Sequence, residues 1–164
     1  MDVLNIHNRV IPGPKEKVGE LLNALGSKND VIWPNKQWPA IRLNNGVSVD
    51  SKGGHGIIGY SIIEFIENDR IVFQFNKPKG FHGTHSFTIS SLDQERTKIE
   101  HKIQMKIYGI TILYWSLVIR WLHDALIEDA FDNYENYFSG TSKRTPWSNW
   151  VKLWRWILKS TRKH

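Results

Sequence analysis

The chain has 164 residues, 40% of them apolar and 23% charged, and it contains no cysteine. That balance excludes a disordered or fibrous class, the length suits a single core, and disulfide or thiolate chemistry is ruled out. The net charge of +6 hides an asymmetry, because 15 Lys or Arg oppose all 16 Asp or Glu through Ser142, whereas residues 143–164 carry seven basic residues and no acid. A domain over 1–140 and a basic tail over 141–164 are therefore expected. Met1–Val10 lacks the basic-then-apolar order of a signal peptide, and no stretch reaches about 18 uninterrupted apolar residues. These features predict a cytoplasmic protein that touches a membrane only peripherally.

Val3, Leu4, Ile6 and Val10 predict a first strand, which Pro12-Gly13-Pro14 ends. Val18, Leu21, Leu22 and Leu25 recur at helical spacing, with Pro14 suited to a first turn and Gly26 to a C-terminal cap. Trp33 and Trp38, each followed by proline, predict a short turn whose indoles cover something apolar. Strands are expected over 41–49, 55–67 and 70–76, with Lys52-Gly53-Gly54 as a break and a tight turn at Asn68-Asp69. Over 55–67 apolar residues fall on both parities, so either Ile58, Tyr60, Ile62 and Glu64 or Ile57, Ile63 and Phe65 could face inward.

Phe81–Ser91 places Phe81, His85, Phe87 and Ile89 on one face, and the next strand places Ile99, His101, Ile103, Met105 and Ile107 on one face. A short loop around Asp93 would pair Phe87 with Ile99 and set His85 directly opposite His101. From Leu113 to Phe138 there is neither proline nor glycine, and Tyr114, Leu117, Val118, Trp121, Leu122 and Ala125 form an apolar stripe that Glu128 and Asp132 continue. The last segment carries a second stripe of Trp147, Trp150, Val151, Trp154, Ile157 and Leu158, with Lys152, Arg155, Lys159, Arg162 and Lys163 elsewhere on the helix.

Strand, helix, turn, several antiparallel strands and one long final helix is an order that resembles the helix-grip fold of the SRPBCC superfamily. That superfamily includes START-type lipid carriers and polyketide cyclase or dehydratase-like proteins. The likeness extends to Tyr60 and Glu64 before Asn68-Asp69-Arg70, to Gly80-Phe81-His82-Gly83-Thr84-His85-Ser86-Phe87, to Ile99-Glu100-His101, and to His123 through Asp129. It implies an α+β architecture, a curved antiparallel sheet wrapped around a long C-terminal helix, with a cavity between them for a hydrophobic small molecule or lipid. It carries over no catalytic motif.

The cavity residues expected on these grounds are His85, His101, Tyr60, Glu128, Phe73, Phe87, Trp121, Trp33 and Trp38. Two inward imidazoles could supply the few polar groups of an apolar pocket, satisfy one another as a buried pair, or act with Glu128 as acid and base in a cyclase, dehydratase or hydrolase reaction on an aromatic or polyketide-like substrate. No cofactor is implied, and no close-spaced pair of metal ligands is present. His123 is assigned to a solvated or capping face and His55 to a loop edge. For the tail, Trp147, Trp150, Trp154, Lys152 and Arg155 suit the interface of an anionic membrane. The stripe could equally dock on the domain or pair two copies in a homodimer. A short basic stretch without a reading motif offers nucleic acid only generic, salt-sensitive attraction.

Overall fold

The computed structural model describes residues 1–160. Arg162 and Lys163 of the tail stripe lie outside the described residues. Seven antiparallel strands form one sheet in the order β1-β7-β6-β5-β4-β3-β2, in which β1 is Asp2–Pro12, β2 Arg42–Leu43, β3 Lys52–His55, β4 Ile58–Ile66, β5 Arg70–Lys77, β6 Phe81–Ser91 and β7 Arg96–Ile107. Helix α1 (Lys15–Asn23) follows β1, and the long C-terminal rod comprises α2 (Thr111–Tyr114), a π-turn (Trp115–Ile119) and α3 (Arg120–Ser139). A further helix, α4 (Asn149–Ser160), comes after it.

β1 turns most of its apolar residues away from the core. Leu4, Ile6 and Val10 point outward and are exposed, while Val3, Asn5, His7, Arg9 and Ile11 form the inner face. The inner row is polar because it meets the acidic side of α3, where burial is offset by charge pairing rather than by apolar contact.

The expected break at Lys52-Gly53-Gly54 is instead strand β3, and the glycines are there for closeness. A Cβ on Gly53 would lie 1.8 Å from the Arg42 carbonyl oxygen, and one on Gly54 would lie 2.1 Å from that of Ile58. The ambiguous parity of β4 also has a structural cause. Bulges fall between Gly59 and Tyr60 and between Ile62 and Glu64, so Tyr60 and Ile62 are buried before the second bulge and Phe65 packs on the core after it. Glu64 turns outward to Arg70.

The β6–β7 hairpin is shifted by two residues from the expected register. Four residues, Leu92–Glu95, make the turn, Ile89 pairs with Ile99, Phe87 with His101 and His85 with Ile103. The two histidines therefore remain on the same face as diagonal neighbours rather than directly opposite.

The rod buries Trp115, Leu126, Ile127, Ala130, Phe131 and Tyr134, a different phase from the stripe read in the sequence. Gly140, in the left-handed conformation at φ 67°, caps its end by donating its N–H to the Asn136 carbonyl. Of the expected stripe, Tyr114, Leu117 and Trp121 are exposed instead.

Candidate ligand cavity and its histidines

Between the concave sheet and the rod lies a cavity of about 670 Å3, bounded also by the Trp33–Pro39 turn and by α4. Pockets of this size and apolar character are the ordinary form of small-molecule sites. The structure brings His85, His101, Tyr60, Phe73, Phe87, Trp33 and Trp38 together around it. They arrive from five segments. Tyr60 and Phe73 come from the inner rows of β4 and β5, His85 and Phe87 from β6, and His101 from β7. The tryptophans come from a turn pinned by hydrogen bonds from Trp33 Nε1 to the Pro39 carbonyl (2.9 Å) and from Trp38 Nε1 to Asp129 (2.6 Å).

Two expected residues are elsewhere. Trp121 sits on the outer side of the rod, where its Nε1 donates to the Ser116 carbonyl at 3.1 Å. Glu128 faces β1, not the cavity, and accepts from Arg9 Nη2 at 2.7 Å while lying 2.8 Å from His7 Nδ1. The physical reason is the helical phase: with Leu126, Ile127, Ala130 and Phe131 facing the sheet, Glu128 rotates off the cavity side. No triad of His85, His101 and Glu128 exists.

Two residues missed in the sequence join the wall, His55 and His123. His123 could have been found from the second apolar phase of the rod, since it lies four residues before Ile127 and three before Leu126. His55 carries no such signal, because the β3–β4 turn alone brings it to the Tyr60 hydroxyl, 3.2 Å from its Nδ1.

The imidazoles form a series along the cavity. His85 stacks on Phe73 at 4.5 Å between ring centroids, His101 is 5.6 Å from His85, and His123 is 5.0 Å from His101. Neither nitrogen of His85, nor Nδ1 of His101, nor Nε2 of His123, has a hydrogen-bond partner among the described residues. The indole N–H of Trp154, on α4 at the cavity edge, is in the same condition. Burial drives His85 and His101 well below the ordinary histidine value of 6.5 and His55 to about 3, and the neighbouring imidazoles push in the same direction. Burial raises the Tyr60 phenol. The sheet side of the cavity thus presents neutral imidazoles among apolar side chains, able to donate or accept single hydrogen bonds, while Lys36, Arg155 and Lys159 also border the cavity.

The tail packs differently from its expected role. Trp147 lies edge-on to Trp38 at 5.3 Å and donates to Asp129, Val151 is buried in the main core, and Trp154 lines the cavity. The Arg155 guanidinium covers the Trp38 ring at 4.5 Å and donates to the Gln37 carbonyl. The stripe of Trp147, Val151 and Trp154 therefore faces the domain, because it covers a cavity edge that is itself aromatic. Trp150, Lys152, Leu153 and Trp156 remain exposed.

No family model matches the sequence, and no curated protein matches it. Solved structures do match. A START superfamily protein from Mycobacterium smegmatis superposes with a TM-score of 0.54 at 11% identity over 85% of this chain and 99% of that one. Norcoclaurine synthase of Thalictrum gives 0.63 at 8% identity over 87% and 98%, and CalU16 from Micromonospora echinospora gives 0.60 at 10% over 98% and 94%. The chain has the START-like helix-grip fold. At these identities the likeness is one of architecture, and function has to be read from the helix-grip cavity itself. No helix among the described residues is long and apolar enough to cross a membrane.

Proposed function

We propose that the protein binds a hydrophobic small molecule or lipid in the helix-grip cavity and holds one polar group of that ligand against His85 and His101. The observation that carries this reading is the pair of buried imidazoles without protein partners in a wall made mostly of aromatic and aliphatic side chains. Buried polar groups in native proteins are normally satisfied, so unpartnered imidazoles in a cavity wall are a natural place for a ligand to bond once side chains adjust around it. Among the neighbours, norcoclaurine synthase was solved with a transition-state analogue. Native mass spectrometry of protein purified without detergent is expected to show a copurified small molecule. Substituting His85→Leu is expected to raise fold stability by about 1–3 kcal/mol, because a desolvated polar group disappears, while weakening that ligand. Loss of stability with unchanged ligand retention would overturn the assignment.

A second reading, cyclase or dehydratase chemistry, rests on the same pair, since one neutral imidazole can accept a proton while the N–H of the other, 5.6 Å away between ring centroids, hydrogen-bonds a developing oxyanion. Substituting both by glutamine separates the readings. Turnover abolished with affinity kept favours the enzyme.

The partner surface we infer is an anionic membrane, met by a face that keeps Trp150 and Lys152 of the expected contact and loses Trp147, Trp154 and Arg155 to the domain. Leu113, Tyr114, Leu117 and Trp121 on the rod, with Trp150, Leu153 and Trp156 on α4, are exposed large apolar residues. The two sets adjoin, because Trp150 Nε1 donates to the Leu117 carbonyl at 2.8 Å. Tyr114 also borders the cavity. Exposed tryptophans and tyrosine beside Arg120, Lys152 and Lys159, in a tail without acids, suit the headgroup layer of anionic lipid. Vesicles containing phosphatidylserine are expected to float with the protein, and Leu153→Asp/Trp156→Asp is expected to abolish flotation. Point variants are required because removal of the tail would strip Trp147 and Val151 from the core. Equal flotation of the variant would overturn this face, and a dimer in sedimentation that the variant dissociates would replace the membrane by a second copy of the chain.

A further inference from the structure

On the opposite flank of the cavity wall, three side chains from β1 and α3 converge: His7, His123 and Asp124 offer ligand atoms that all lie within 4.8 Å of one another. Asp124 Oδ1 is 3.1 Å from His7 Nε2 and 3.5 Å from His123 Nδ1. Those separations bracket the edge of about 3.3 Å that a tetrahedron has when its bonds are about 2.0 Å long, the length of zinc bonds to imidazole nitrogen and carboxylate oxygen.

The surroundings repeat the support such a centre needs. His7 Nδ1 lies 2.8 Å from Glu128 Oε1, so an N–H there fixes the tautomer and turns the Nε2 lone pair toward Asp124. A lone pair 3.1 Å from a carboxylate oxygen is repulsive unless a cation stands between them, and that cation is either a proton on His7 or a metal ion. Asn5 Nδ2 donates to the same Asp124 oxygen at 2.9 Å and orients the carboxylate. Arg120 is held at 3.9 Å from the other oxygen. His123 is half-buried and also lines the cavity.

We propose that His7, His123 and Asp124 bind a divalent first-row transition ion, zinc being the best match. Two imidazoles and one carboxylate are borderline donors, whereas calcium and magnesium call for an all-oxygen shell. Three protein ligands leave a fourth position for water or for an oxygen of a bound molecule. Because His123 also lines the cavity, the ion would join the sheet edge to the rod beside the ligand. This site is independent of the membrane face and does not require the cavity to be filled.

The test uses untagged full-length protein, stripped with chelator and titrated with zinc chloride by calorimetry and with cobalt chloride by visible absorption. One ion per chain is expected, with the intense visible bands of four-coordinate cobalt. X-ray absorption of the zinc-loaded wild type is expected to show two imidazole scatterers, a readout that needs no variant to fold. His7→Gln is expected to abolish binding, and Glu128→Gln to weaken it by about 10–100-fold through loss of the orienting contact. His82→Gln, at an exposed position outside the cluster, is expected to change nothing. No saturable uptake, fewer than two imidazoles around zinc, or full binding by His7→Gln would overturn the site and leave His7 as a protonated ion-pair partner.

Discussion

Lowering the pH from 7 to 5 is expected to cost the fold up to about 4 kcal/mol through His85 and His101. Both are buried, and both are held well below the ordinary histidine value of 6.5 by desolvation first and by neighbouring imidazoles second. In the unfolded chain each takes up a proton as the pH falls through about 6.5, while in the native cavity each stays neutral. The unfolded state therefore binds more protons, and stability rises with pH across this window. It is complete above 6.5 and drains below it at about 1.4 kcal/mol per pH unit for each group. Against a typical stability of about 5–15 kcal/mol the loss is large. Urea denaturation at a series of pH values measures the slope, and the double variant His85→Leu/His101→Leu isolates it. A slope identical in wild type and double variant would show that the imidazoles are protonated in the native cavity, contrary to their surroundings.

Substituting Arg9→Met is expected to destabilise the protein by about 3–5 kcal/mol. The Arg9 guanidinium donates to Glu128 at 2.7 Å, Asp132 at 2.9 Å and Glu135 at 2.6 Å, and so holds three carboxylates of α3 against β1. The Asp132 side chain is only 3% exposed. Without the cation its charge stays buried beside two others, and the loss exceeds that of any surface ion pair. Thr145 still donates its hydroxyl to Asp132, so Asp132→Asn on the Arg9→Met background is expected to recover part of the stability by removing the repulsion. Arg9→Lys is expected to recover less than the wild type, since one ammonium cannot reach three acceptors with a planar fork. Chemical denaturation of wild type, Arg9→Met, Asp132→Asn and Arg9→Met/Asp132→Asn forms a double-mutant cycle. An Arg9→Met cost below about 1 kcal/mol would place this network among ordinary surface pairs.

Much of the site was readable residue by residue, though not in its pairing. Period-two alternation in Phe81–Ser91 and Ile99–Ile107 is enough to put His85 and His101 on inner faces, because a strand's side chains alternate whatever its partner does. Their mutual register depended on the length of the Leu92–Glu95 turn, and a two-residue difference kept the face while changing the neighbour. The rod had two candidate apolar phases, one through Tyr114, Leu117 and Trp121 and another through Leu126, Ile127, Ala130 and Phe131. Choosing between them needed the sheet, and with that choice went Glu128 and His123. The tail was legible as an amphipathic helix, but a stripe of tryptophans describes a surface seeking cover, not the identity of the cover.

By itself the sequence determined the order of the main elements, the inward histidines and the separation of basic charge, which follow from local periodicity and composition, while the α+β class followed from the resemblance of that order to the helix-grip fold. Tertiary structure alone decided which side of the rod meets the sheet, that His7, His123 and Asp124 converge from positions more than a hundred residues apart, and that α4 covers the cavity edge. Those outcomes depend on packing between segments distant in the chain, where several helical phases bury similar apolar area and only the fit of all seven strands selects one.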